Sequence, residues 1–137
     1  MNFLFLDDNA ERTKTVRRHH PYGVYVETAQ QCIDAIQKRD IWEIVLLDHD
    51  LGNETFVNSG RSDCGMEVVR WICDNKPDIK VILVHSLNMP ASLEMVIKLQ
   101  ECGYDRVYQA PFINIQWDIF DPEKMVSVGN KRRHFSP

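Results

Sequence analysis

The sequence lacks most of the features that decide a protein's class at a glance. No apolar run approaches the roughly 18 residues of a membrane span. The N-terminus, MNFLFLDD, has no basic region followed by a long apolar stretch, which excludes a secretory signal peptide. The four cysteines, Cys32, Cys64, Cys73 and Cys102, form no CxxC, so their spacing excludes a zinc knuckle. They fall on expected helix faces or a helix start and read as reduced, small hydrophobes, with Cys64, beside a polar loop, the one to check for reactivity. There is no excess of positive charge. A net charge of −4 excludes a surface that coats DNA or RNA generally, while leaving room for a local site that takes a small nucleotide or an RNA end. Low-complexity segments and internal repeats are absent. The expectation is a cytoplasmic protein that does not enter a membrane.

What remains is an ordinary globular composition in 137 residues, the length of a single domain. A chain of this size buries about two-thirds of its unfolded surface and needs no disulfide or structural metal to fold. The expected divisions are a core over 1–112, an extension over 113–129 and a solvated tail over 130–137 that contains NKRRH.

Apolar runs alternate with helical patterns. Residues 2–6 read as a first strand, and Asp8-x-x-Glu11 as a capping-box variant opening a helix that stops before Pro21. Tyr22 to Glu27 read as a second strand. Thr28-x-x-Gln31 opens a second helix, with Ala29, Cys32, Ile33 and Ile36 as its apolar stripe. Ile44 to Leu47 form a third strand, and the polar stretch Gly52 to Asp63 a mobile loop. Met66 to Cys73 form a helix, and Val81 to Val84 a fourth strand. A helix over Leu93 to Glu101 follows, with Pro90 in its first turn and Gly103 as its stop. Arg106 to Gln109 make a short fifth strand. This order calls for an α/β fold, a doubly wound parallel sheet of the flavodoxin-like order 2-1-3-4-5. The alternation of Ile113, Ile115, Trp117 and Ile119 with Asn114, Gln116 and Asp118 predicts an extra strand in place of a long last helix, and Asp121-Pro122 a short helix start. Such a strand would bury its apolar side as an edge or in a homodimer contact through 113–119.

The stretch Val45 to Gly52, VLLDHDLG, is the most informative. It ends an apolar strand in two carboxylates and an imidazole, a group too costly to bury unpaired. Asp7 and Asp8 end the first strand, and His85, Ser86 and Asn88 end the fourth. In an open α/β sheet these C-terminal strand ends are where ligands bind. Asp8, Asp48 and Asp50 offer hard oxygen ligands suited to Mg²⁺ or Mn²⁺, and Asp7 acts directly or through water. On an extended strand Asp48 and Asp50 point one way and His49 the other.

The residues resemble response-regulator receiver domains: Asp7 and Asp8 match the acidic pair, and Asp48 the phospho-accepting aspartate. Ala110-Pro111 stands where receivers carry a lysine before a proline, so the resemblance does not imply ordinary phosphorylation switching. The chain is more similar to the cyclic-phosphate-processing receiver domains. It has LDD at 6–8, DHDLG at 48–52, GMEVVRW at 65–71 and HSLN at 85–88. That resemblance implies a metal-dependent phosphoesterase opening a cyclic phosphate on a small nucleotide or an RNA end. Such a reaction needs charge stabilisation at phosphorus and a proton for the leaving oxygen. His85 is the first choice as general acid or base and His49 the second. Ser86 and Asn88 are expected to hydrogen-bond the phosphate or sugar, and Arg12 to reach a phosphate oxygen. The rival readings are a degenerate receiver acting by protein contact, and a module that binds a nucleotide without turnover.

Overall fold

Strand segments that are apolar at every position need cover on both faces, and Phe3–Leu6, Ile44–Leu47 and Val81–Val84 are of that kind. The structure, a computed structural model, describes residues 1–52 and 54–127. Its elements are β1 (Phe3–Leu6), α1 (Ala10–His19), β2 (Val24–Val26), α2 (Ala29–Gln37), β3 (Ile41–Leu47), α3 (Gly65–Asn75), β4 (Asp78–Val84), α4 (Met89–Glu101), β5 (Val107–Gln109) and α5 (Pro122–Ser127). The strands form one parallel sheet in the order β2-β1-β3-β4-β5, as the alternation of elements predicts. Leu4, Leu6, Val45, Leu47, Ile82 and Val84 face α2, α3 and α4. Phe3, Phe5, Ile44, Leu46, Val81 and Leu83 face Val16 of α1 together with Ile115, Trp117 and Met125 of the C-terminal segment. Among the described residues no helix is long and apolar enough to cross a membrane.

The structure departs from the sequence reading in several places. Asn9, not Asp8, caps α1, its side chain accepting from the Arg12 amide. The reason is that Asp7, pulled into the sheet edge, accepts from the Asn9 amide at 2.8 Å and sets the helix start one residue later. The alternating segment after β5 is not a strand. Pro111 leads into a 3₁₀ turn over Phe112–Asn114, and only Ile115 and Trp117 turn inward, leaving Ile113 and Ile119 exposed. Together with α5, a six-residue helix where receivers carry a longer one, these two side chains close that face of the sheet. Cys73 and Cys102 are not reduced but form a disulfide between the ends of α3 and α4, with Cα atoms 5.6 Å apart. Two residues 29 apart meet only through helix packing, which spacing does not reveal. Cys32 and Cys64 are free and buried. The tail over 130–137 lies outside the described residues.

Register carries the fold into the site. Phe5 pairs with Leu46, and Leu47 with Val84, so two residues beyond the first pair Asp7 comes beside Asp48, and one beyond the second Asp48 comes beside His85. The return from this edge is made by Gly65, which opens α3 directly under the turn. Its amide donates to the His49 carbonyl at 2.8 Å, and a Cβ there would lie 1.8 Å from the Asp48 carbonyl oxygen. Gly65→Ala therefore has to push α3 off the end of β3. The expected cost is about 1–3 kcal/mol, typical of overpacking. Urea unfolding checks it; a variant of unchanged stability would show that α3 tolerates the shift.

Candidate functional site

The ends of β1 and β3 deliver three carboxylates to one point. One oxygen each from Asp7, Asp8 and Asp48 lie within 4.8 Å of one another. Asp7 and Asp48 are buried, and Asp8 is half-buried at the opening. Arg12, one turn into α1, faces the group. Its Nη2 donates to Asp7 Oδ1 at 3.2 Å and lies 3.7 Å from Asp48 Oδ2. Its Nε is 2.9 Å from Asp7 Oδ2 but off hydrogen-bond alignment, so Asp7 Oδ2 and Asp48 Oδ2 are both buried without a hydrogen bond. Buried carboxylate oxygens in native proteins are nearly always satisfied. Among the described residues one guanidinium faces the two buried carboxylates of Asp7 and Asp48, which leaves that pair short of positive charge.

The electrostatics record that shortage. Burial, and then the neighbouring Asp7 carboxylate, push the Asp48 carboxyl up to about 8, against the opposing pull of Arg12 and the His49 amide. His85 moves the other way. It is buried, stacked on Phe5 with ring centroids 4.7 Å apart, and burial pushes its imidazole down to about 4. Its Nε2 lies 3.1 Å from the Leu6 carbonyl, which can only accept, so Nε2 carries the proton. Nδ1 is then an acceptor 3.7 Å from Asp7 Oδ2.

A cleft of about 320 Å³ opens above the carboxylates. Asp8, Arg12, Asp48, Asp50, Ser86 and Asn88 all line it. The structure thus brings together most of the residues singled out in the sequence, in different capacities. Asp50 lies outside the three-carboxylate group and organises the following loop. Its Oδ1 accepts from Asn88 Nδ2 at 3.2 Å and the Val57 amide at 3.1 Å, and its Oδ2 from the Phe56 amide at 2.8 Å. Burial pushes its carboxyl up, but those bonds and His49 outweigh it and hold it below the usual value. Asn88 caps α4, accepting from the Ala91 amide, so both ends of its side chain are engaged. Ser86 Oγ accepts from the Asn88 amide at 3.1 Å, leaving its own proton to donate.

Neither histidine faces the cleft. His85 lies behind Asp7, and His49 points under the loop; β3 ends at Leu47, so strand alternation does not govern residues 48–50, and Asp50 turns to His49 instead. His49 Nδ1 is 2.7 Å from Asp50 Oδ1 and its Nε2 2.9 Å from Ser59 Oγ. Burial pushes the His49 imidazole down, but hydrogen bonds with Cys64 and Asp50 outweigh this and raise it. The loop expected to be mobile is held at several points, since Arg70 also donates to the Ser59 and Arg61 carbonyls at 2.6 and 2.8 Å. At the end of β5, where a receiver's lysine is expected, Ala110 is buried and its amide donates to the Val84 carbonyl. Sequence reasoning missed Gly65 as a site residue. The available signal was a glycine opening an amphipathic helix, a costly choice without a close approach to explain it.

Comparison with known proteins agrees with this geometry. The model of the Cyclic-phosphate processing Receiver domain family matches residues 2–101. Among solved structures, an adenylate cyclase from Rhodopirellula baltica is 18% identical, covering 81% of this chain and 78% of that one, with a TM-score of 0.56. The Mn²⁺-bound form of response regulator Rcp1 is 16% identical, covering 93% of this chain and 91% of that one, with a TM-score of 0.51. At such identities these likenesses show the fold alone. A search of curated proteins finds no match to this sequence.

The raised Asp48 carboxyl has a sign that can be checked. The folded value lies above the unfolded one, so the native state keeps a proton that the unfolded chain releases. The stabilising effect of that proton is full below about pH 4 and is lost as pH rises through about 8. In the cation-free protein, Asp48→Asn should therefore gain stability over wild type, by a margin that grows between pH 5 and pH 8. Urea titrations across that range measure the margin; a margin independent of pH would contradict the assignment.

Proposed function

The chain belongs to the cyclic-phosphate processing receiver domain family, and from that membership we propose that it is a metal-dependent phosphoesterase opening a cyclic phosphate on a nucleotide-like substrate or an RNA end. The observation that carries this reading is the pair of buried carboxylate oxygens without a hydrogen bond on Asp7 and Asp48, converging with Asp8, where Asp8 and Asp48 line an open cleft. A hard divalent cation fits that donor set. It needs few carboxylates, completes its shell with water and substrate oxygen, and balances the charge that Arg12 leaves uncompensated. Asp7, Asp8 and Asp48 would hold it, with Mg²⁺ or Mn²⁺ favoured by the all-oxygen ligands. The Mn²⁺-bound state of response regulator Rcp1 is compatible with this choice.

When bound, a divalent cation supplies polarisation of a phosphate oxygen and charge neutralisation at phosphorus. The chain's own residues do the rest. Arg12, already leaning between Asp7 and Asp48, exchanges part of that pairing for a second phosphate oxygen. Ser86 donates its hydroxyl proton to the phosphate or the sugar. Asp50 and Asn88 hold the cleft wall and the start of α4 in register and do not contact substrate through their engaged atoms. His85 is a positioning residue, fixing Asp7 from behind through Leu6. With both imidazoles turned away, the proton for the leaving oxygen comes from water entering the open cleft. The rate should therefore show no ionisation near 6.5, the ordinary histidine value.

A second reading, a degenerate receiver acting by protein contact, is favoured by one observation. Met89, Leu93 and Ile97 stand exposed at four-residue spacing along one side of α4, and Leu87 is exposed just before it. A cytoplasmic protein that dimerises through 113–119 belongs with that reading. The deciding experiment incubates the protein with nucleoside 2′,3′-cyclic phosphates, cyclic mononucleotides and ADP-ribose cyclic phosphates in Mg²⁺, Mn²⁺ or Zn²⁺. Ring opening is expected that depends on the cation and falls at least ~10²-fold in Asp48→Asn, the size of effect that follows loss of a charge-stabilising group. No opening with any cation that calorimetry shows to bind, combined with acetyl phosphate labelling of Asp48, would replace the enzyme reading with the second one.

A further inference from the structure

The other flank of α1 carries a feature that the carboxylate site does not use. A groove of about 420 Å³ runs between α1 and β2, the edge strand of the sheet. Lys14, Arg17 and Arg18 line it from α1, and Glu27 is its one carboxylate. The three cations are exposed and recur at three- and four-residue spacing, on one side of the helix. A chain of net charge −4 thus presents a positive groove at this edge. Arg17 and Arg18 at the last turn of α1 are accounted for in part by the helix dipole, but Lys14 lies in mid-helix and gains nothing from it.

The groove also has an aromatic surface. The Arg17 guanidinium lies over the Tyr25 ring, 4.7 Å from its centroid. Tyr25 Oη donates to the His20 carbonyl at 2.6 Å, which fixes the ring in place. Cations spaced along a groove are what the phosphates of a single strand meet, and the ring holds the Arg17 guanidinium in place there. The groove adjoins the cleft: Asp8 and Asn9 line the cleft, and Ala10, the next residue, lines the groove. From Ala10 to Arg17 the helix rises roughly 10 Å, room for the nucleotides that adjoin a terminal one.

We propose that the α1–β2 groove binds the phosphates upstream of a terminal cyclic phosphate, so that the substrate is the end of an RNA strand and not a free mononucleotide. The proposal rests on the reading of the carboxylate cleft as a cyclic-phosphate site and specifies its substrate class. An acidic peptide would meet the same cations, but it would not account for the carboxylate cleft next door.

The test follows anisotropy of a labelled RNA ten-mer ending in a 2′,3′-cyclic phosphate, over a salt series, with the full chain. Arg17→Gln/Arg18→Gln should weaken binding ~10-fold or more and reduce the slope of log K against log salt by roughly 1.4, about 0.7 for each single-strand phosphate that is no longer neutralised. Arg17→Lys/Arg18→Lys should keep the slope. Both variants should open adenosine 2′,3′-cyclic phosphate at the wild-type rate. Unchanged RNA binding in the Gln variant overturns the proposal, as does polyglutamate binding that depends on these arginines where RNA binding does not. If RNA binding depends on the groove but no cyclic phosphate is opened, the groove assignment stands and the phosphoesterase reading falls. If the mononucleotide is opened and the RNA binds no more tightly than it does, the reverse holds.

Discussion

Strand register places Asp7 next to Asp48, and no alternative pairing relieves them. A slip of one residue would turn the inward-facing side chains of β1 to the opposite face of the sheet, where their partners do not fit. Two carboxylates are therefore held together at a dry sheet edge by the same apolar packing that stabilises the core. Much of the surrounding structure can be understood as a response to that constraint. Arg12 leans across from α1, Asp8 stays at the mouth where water reaches it, and Asp48 is driven toward its neutral form. The packing energy of Phe5, Leu6, Leu46 and Leu47, all fully buried, is what holds the charges together.

Close quarters at that edge then decide what the neighbours must be. α3 has to begin against the end of β3, and only a residue without a Cβ fits there, which is the physical content of the glycine in GMEVVRW. The loop between β3 and α3 is tied back by the residues that follow Asp48. His49 and Asp50 bond each other and reach Ser59, Val57, Phe56 and Asn88. DHDLG is thus one carboxylate of the site followed by a two-residue clasp. The clasp couples the loop to the cap of α4, so the cleft wall is built from segments far apart in sequence.

How much of this was legible depended on whether a feature is local. The strand order followed from apolar runs that alternate with capped, striped helices, and Thr28 and Pro90 sit where their chemistry puts them. The convergence of Asp7, Asp8 and Asp48 followed from the ends of those runs. What sequence could not give was orientation and long-range contact. His85 looked like a cleft residue because it ends a strand, yet its ring stacks flat on Phe5 and its proton goes to Leu6. Asp8 read as the cap of α1, but the carboxylate cluster draws Asp7 inward, and the Asn9 amide that Asp7 accepts from sets the cap one residue later. The period-two pattern after Pro111 imitated a strand because two successive turns also bring alternate residues inward, here Ile115 and Trp117. The Cys73–Cys102 bridge depends on how α3 packs on α4, which spacing does not encode.

The two flanks of α1 make one electrostatic arrangement. Among the described residues, the carboxylates of Asp7 and Asp48 outnumber the guanidinium of Arg12 on the first, and Lys14, Arg17 and Arg18 outnumber Glu27 on the second. A helix whose two sides face opposite charge in this way is polarised across its width as well as along its axis. A polyanion approaching from solvent is repelled by the carboxylates alone and attracted by the cations alone. If, as proposed, a divalent cation occupies the first side and an RNA strand the second, the cation removes that repulsion. Cation binding and strand binding are then expected to be linked, each raising the affinity of the other by the same factor. That linkage needs no conformational change, because it acts through the field of a rigid helix whose first turn lies against the sheet edge.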